Sequence, residues 1–73
     1  MRYRCVRVSQ KRDFVYLESA DGLFEAVIAR GRLGSFPGAA AGAGKDLIVT
    51  GLLEEFKGRL QIMLAFPRQL RLT

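Results

Sequence analysis

Between Lys45 and Phe66 the chain reads KDLIVTGLLEEFKGRLQIMLAF, two apolar stretches that alternate with period two around a charged turn, Glu54-Glu55-Phe56-Lys57-Gly58-Arg59. Leu47, Val49, Gly51 and Leu53 share one face of the first stretch, and Leu60, Ile62, Leu64 and Phe66 share one face of the second. Side chains alternate across a strand, so this spacing predicts two half-buried strands joined as a hairpin.

Three further strands are predicted upstream. The first covers Tyr3 to Gln10, where Val6 and Val8 point one way and Arg7 and Ser9 the other. Tyr3 and Cys5 have the opposite parity, so a bulge near Cys5 is needed to bring both sets to the core. After the turn Gln10-Lys11-Arg12-Asp13, the second strand runs from Phe14 to Glu18. Val15 and Leu17 lie on one face and Phe14, Tyr16 and Glu18 on the other. The turn Ser19-Ala20-Asp21-Gly22 contains Asp-Gly, a strong hairpin signal. The third strand, Leu23 to Ala29, alternates Phe24, Ala26 and Ile28 with Glu25, Val27 and Ala29. The expected core is Val6, Val8, Val15, Leu17, Phe24, Ile28, Val49, Leu60, Ile62 and Leu64.

The pattern breaks at RGRLGSFPGAAAGAG, residues 30–44, which hold five of the eight glycines and Pro37. Three alanines between glycines are too few to nucleate a stable helix, so a loop with one helical turn is expected there. Leu33 and Phe36 are the candidates to fill the space a helix would otherwise occupy. The tail Arg68-Gln69-Leu70-Arg71-Leu72-Thr73 alternates again after Pro67. It is expected to add a short strand beside strand one or to pair with another subunit.

Size and composition narrow the function classes. Seventy-three residues, 49% of them apolar, make one small globular domain (residues 1–73) with a small core. A single cysteine, Cys5, forms no internal disulfide, and the absence of His excludes His-based catalysis and the usual zinc sites. No stretch approaches the roughly 20 apolar residues that span a bilayer. The start MRYRCVRVSQKRDF lacks an apolar run of signal-peptide type. These features point to a cytoplasmic protein with a reduced thiol and no membrane partner. The segment GAAAGAGKD, residues 38–46, is not a nucleotide-binding loop: Ala39 stands where its first glycine belongs, Asp46 replaces the magnesium-binding hydroxyl, and no long helix follows. No cofactor is expected, and no carboxylate pair has a spacing that implies shared chemistry, so an enzyme is not expected.

The Gly44-Lys45-Asp46 lead-in, the mid-strand glycine in Val49-Thr50-Gly51, the charged hairpin and the Gly58-Arg59-Leu60-Gln61-Ile62 strand resemble the last two strands of an OB-fold of the tRNA-anticodon-binding type. With the three upstream strands the resemblance extends, as a pattern, over most of the chain. It implies an all-β domain, a small five-stranded and mostly antiparallel barrel. Residues 30–44 depart from the family by offering a Gly/Ala-rich loop in place of the usual helix between strands three and four. The resemblance also implies binding of single-stranded DNA or RNA on the outer face of strands two and three and the flanking loops.

The residues that suit this role can be read directly. The net charge is +5, and nine of the twelve basic residues are Arg, whose planar fork suits phosphate and whose plane stacks on bases. If Val15 and Leu17 fill the core, Phe14 and Tyr16 stand outward, where exposed rings can stack bases. Lys11 and Arg12 flank them in one loop, and Lys57 and Arg59 in the other. Arg30 extends the basic path, and Phe56 offers a third ring. Glu18, Glu25, Glu54 and Glu55 oppose a uniformly basic groove. The competing expectation is a protein-interaction or self-assembling module, in which the same aromatic face, or the Leu70–Leu72 edge, pairs with another protein or a second copy.

Overall fold

The computed structural model describes residues 1–73 and is built almost entirely of strands: β1 (Arg2–Gln10), β2 (Phe14–Ser19), β3 (Phe24–Ala29), β4 (Asp46–Val49), β5 (Leu53–Phe56), β6 (Arg59–Leu64) and β7 (Leu70–Leu72). Short 3₁₀ helices cover Arg30–Ser35, Ala39–Ala41 and Pro67–Gln69. The strands form one sheet in the order β5-β6-β3-β2-β1-β4-β7. All pairings are antiparallel except β3 with β6, which run parallel. No ladder joins the terminal strands β5 and β7, so the sheet is not closed. The small all-β class is as expected; the number of strands is seven rather than five.

Two features raise that number. The expected fourth strand divides at Thr50–Leu52 into β4 and β5. Gly51 sits in the break, where an added Cβ would lie 2.7 Å from Ile62 Cγ2 and 3.1 Å from Gln69 Nε2. Only glycine lets the backbone pass that close to β6. The tail forms β7, but it pairs with β4 and not with β1. The reason is topological: β1 already has β4 on one edge at residues 2–4 and β2 on the other.

The charged turn is also shorter than its sequence implies. Glu54, Glu55 and Phe56 belong to β5, opposite Gln61, Leu60 and Arg59, and only Lys57 and Gly58 turn the chain. Both have positive φ, 52° and 80°, as a two-residue hairpin compatible with right-handed strand twist requires. Glu54 and Glu55 are therefore strand residues, not turn residues.

The bulge in β1 lies where the parity demanded it. Cys5 pairs with Ser19 and Arg7 with Glu18, so β1 carries one extra residue, Val6. The extra residue switches the facing along the strand. Cys5 is fully buried, Tyr3 and Val8 pack against the core, and Val6 is turned out to 46% exposure. Val6 thus leaves the expected core. Leu60 leaves it too, at 40% exposure, because the β5–β6 hairpin runs past the end of the core; Leu53, opposite buried Ile62, is exposed because β5 is an edge strand.

Val15, Leu17, Phe24, Ile28, Val49, Ile62 and Leu64 are buried as expected. Cys5, Ala26, Leu47, Phe36 and Ala39 complete the cluster. The segment after β3 contains no α-helix. Phe36 and Ala39 enter the core from it and Leu33 packs alongside, so this loop supplies the apolar plug. Tyr3 bridges to the core's polar margin: its hydroxyl donates to the Leu17 carbonyl at 2.6 Å and its ring meets Phe24 edge-on at 4.7 Å.

Candidate nucleic-acid interface

Burial of Val15 and Leu17 fixes the facing of β2, because neighbouring side chains must point to opposite faces. Phe14 and Tyr16 therefore stand on the outer face, half-buried, with ring centroids 6.3 Å apart and planes tilted by 53°. Tyr16 pairs with Val27 of β3, which pairs in turn with Met63 of β6. The outer face of β2, β3 and β6 is thus an apolar shelf whose Val27 floor is 2% exposed. The hairpin tip brings Phe56 to its rim.

Two adjoining grooves occupy this face. One, of about 340 Å³, is lined by Lys11, Tyr16, Glu25, Phe56, Lys57, Arg59 and Gln61. The other, of about 280 Å³, is lined by Phe14, Tyr16, Val27, Phe56, Gln61 and Met63. Tyr16, Phe56 and Gln61 belong to both, so a basic groove runs into an apolar one across a shared aromatic rim. Lys11 Nζ lies 5.3 Å from the Tyr16 ring centre, and Lys57 Nζ lies 5.3 Å from that of Phe56. Each ring thus carries a cation over its face, a cation–π contact.

Of the eight residues expected from the sequence, Lys11, Phe14, Tyr16, Phe56, Lys57 and Arg59 converge on these grooves. Arg12 and Arg30 lie together at the adjacent end of β2 and β3, where Arg30 Nη1 donates to the Arg12 carbonyl at 3.3 Å, but neither lines a groove. Lys11, Arg12, Arg30 and Lys57 form no ion pair, whereas Arg59 Nη1 bridges to Glu25 Oε1 at 3.3 Å. Arg2 and Arg4 are held by Asp46.

Sequence reasoning missed Val27, Gln61 and Met63, and took Glu25 only as a charge opposing the basic groove. Their facing was legible, since each alternates with a core residue, but their role depends on which strands become neighbours. The parallel β3–β6 pairing sets Glu25 beside Gln61. Glu18 and Glu25 are also directly opposite one another across β2 and β3, and both are buried. Like charges so placed repel. Each is compensated from its far side: Glu18 accepts from Arg7 at 2.9 Å and from Ser9, and Glu25 accepts from Arg59 and from Gln61.

Burial pushes the Glu18 carboxyl up, but hydrogen bonds from Arg7 and Ser9, with the charges of Arg7 and Arg59, outweigh it and hold the group below its ordinary value of 4.5. A depressed carboxyl contributes stability that is present above that ordinary value and is lost as pH falls through the folded one. The melting temperature of the parent should therefore fall below about pH 4.5, and that of Glu18→Gln should fall less over the same range. Asp21 and Asp46, also depressed, contribute to the acid loss of both proteins. Parallel melting curves for the two proteins from pH 7 to pH 3 would contradict this role for Glu18.

No family model, curated protein or solved structure matches this chain, and the case for its function rests on the geometry of these grooves.

Proposed function

We propose that this protein is an OB-fold-like module that binds single-stranded nucleic acid without catalysing a reaction. The fold reading is supported by two continuities. β4 runs into β5 through Gly51, and β6 runs into β7 through the Pro67–Gln69 turn, and the two composite strands pair antiparallel at both ends, β5 with β6 and β4 with β7. With β1, β2 and β3 they make the five strands of a partly open Greek-key barrel. The reading also rests on the resemblance of the last two strands to those of the tRNA-anticodon-binding type.

The single observation that carries the function is the convergence of six expected contact residues on two joined grooves, one basic and one aromatic. Bases stack on Tyr16, Phe14 and Phe56, and phosphates follow Lys11, Lys57 and Arg59 toward Arg12 and Arg30. The non-catalytic reading is supported by Cys5, the single thiol: it is fully buried, and burial raises its pKa, which suppresses the reactive thiolate.

A fluorescence-anisotropy titration with labelled single-stranded oligonucleotides tests the proposal. With about three to five phosphate contacts, the slope of log K against log salt should be roughly −2 to −3.5, at about 0.7 per contact. Absence of binding at low salt would refute the function, and binding with a flat salt response would refute the phosphate path.

A second reading, a self-assembling or protein-interaction module, is favoured by a different surface. Leu23, Leu52, Leu53 and Leu60 are exposed around the β5–β6 ribbon, and Leu60 N–H donates to the Leu23 carbonyl. The outer edge of β5 has no partner strand. Light scattering separates the two readings: a stable dimer that protects Leu53 and Leu60 would favour the second.

A further inference from the structure

The groove that would hold a base has a buried carboxylate in its wall, which a general single-strand binder does not need. Glu25 is 3% exposed yet lines the basic groove beside Tyr16 and Gln61. Its position is fixed from β6: Arg59 Nη1 donates to Oε1 and Gln61 Nε2 donates to Oε2. An ionised carboxylate has about four acceptor sites, so these two bonds leave roughly half of its capacity unused. Gln61 is oriented by the same bond. Its nitrogen points to Glu25, and its own carbonyl oxygen remains an acceptor at the junction of the two grooves.

We infer that Glu25 is a specificity-determining residue that makes the groove prefer guanine. This inference rests on the single-strand-binding reading of the same site. A base stacked on Tyr16 presents its edge to the Glu25–Gln61 wall, where the carboxylate can only accept and Gln61 keeps its carbonyl acceptor and one further N–H. Guanine offers two adjacent donors, N1–H and the N2 amino group, which match the two oxygens of one carboxylate. Cytosine and adenine offer a single amino group on that edge. Thymine and uracil offer one ring N–H flanked by two carbonyl oxygens, which a carboxylate repels. Arg59 limits the cost of the wall's charge, since it neutralises Glu25 and still exposes half of its side chain to a phosphate.

The test uses the full chain and a labelled oligonucleotide of about twelve thymidines, a length within the usual span of one such domain. The central position is thymine, cytosine, adenine, guanine or hypoxanthine. The guanine strand should bind roughly tenfold more tightly than the all-thymine strand, in line with the discrimination of a bidentate contact. Hypoxanthine keeps N1–H but lacks the N2 amino group, so it should fall between them. Glu25→Gln should abolish the guanine advantage, read as the ratio of the guanine-strand affinity to the all-thymine affinity of the same variant. Gln61→Ala, which leaves the carboxylate and its Arg59 partner in place, should reduce the advantage and serves if Glu25→Gln does not fold. Equal binding of all five strands by the parent, or a guanine advantage that survives Glu25→Gln, would overturn this inference alone. Failure of every strand to bind would overturn it together with the single-strand-binding reading.

Discussion

Replacing Ile62 with Ala is expected to lower the free energy of unfolding by about 2–5 kcal/mol, the range for removing a buried aliphatic side chain. The upper part of that range applies where neighbours cannot collapse into the space. Ile62 is such a site on its β3 side. It lies 3% exposed in the middle of β6, between Ala26 on its parallel neighbour and Leu53 on its antiparallel one. Its Cγ2 fills the space above Gly51, where the backbone has no side chain to offer in replacement. β3 is held between β2 and β6 and cannot close into the space, so volume lost on that side remains as a cavity, whereas β5 is an edge strand with Leu53 half exposed. Val6→Ala is the matched control: Val6 projects from the β1 bulge and is 46% exposed, so its loss should change stability by no more than about 0.5 kcal/mol. Urea unfolding of both variants gives the comparison. Equal midpoints for Ile62→Ala and the parent would refute the inward facing of β6.

Alternation made the strand interiors legible, and it did so most securely where a second constraint agreed with it. At β1 the clash of parity between Cys5 and Val8 required a bulge, and the bulge is there. Alternation could not say that Val6 itself is the extra residue, because both sides of the discontinuity are open to an inserted residue. It was also silent about where a strand outruns the core. Leu53 and Leu60 have inward parity, but Leu60 lies where the hairpin leaves the packed interior and Leu53 lies on the edge strand β5. The division of the fourth strand was encoded in Gly51, yet its meaning needed the approach of Ile62 and Gln69, contacts that are 11 and 18 positions away in sequence. The candidate site shows the same division. Its rings and unpaired cations were legible from strand facing and turn position. Glu25 and Gln61 became a pair only through the parallel β3–β6 ladder, a long-range choice that no local pattern specifies.

Replacing Phe14 and Tyr16 together with Ala should weaken single-strand binding by about 2–6 kcal/mol at most, from 1–3 kcal/mol for each stacked base. The rings face outward, but they are half-buried, and they cover Val27, which is 2% exposed beneath them. Truncating both therefore uncovers apolar surface. Burying a large apolar side chain fully is worth about 1.5–3 kcal/mol, so two half-buried rings should together contribute about 1.5–3 kcal/mol to stability. That cost confuses a binding measurement if part of the variant unfolds. Replacing both with Leu removes the confusion: Leu keeps Val27 covered but has no π-face for a base. Under the single-strand-binding reading, the Leu variant should retain most of the parental stability and still lose most of the stacking contribution. Under the interaction-module reading, oligonucleotide affinity should not change, and the variant that exposes Val27 should instead alter self-association. A Leu variant that keeps its fold and binds single strands as tightly as the parent would remove Phe14 and Tyr16 from the site, leaving Phe56 as the sole ring against which a base could stack.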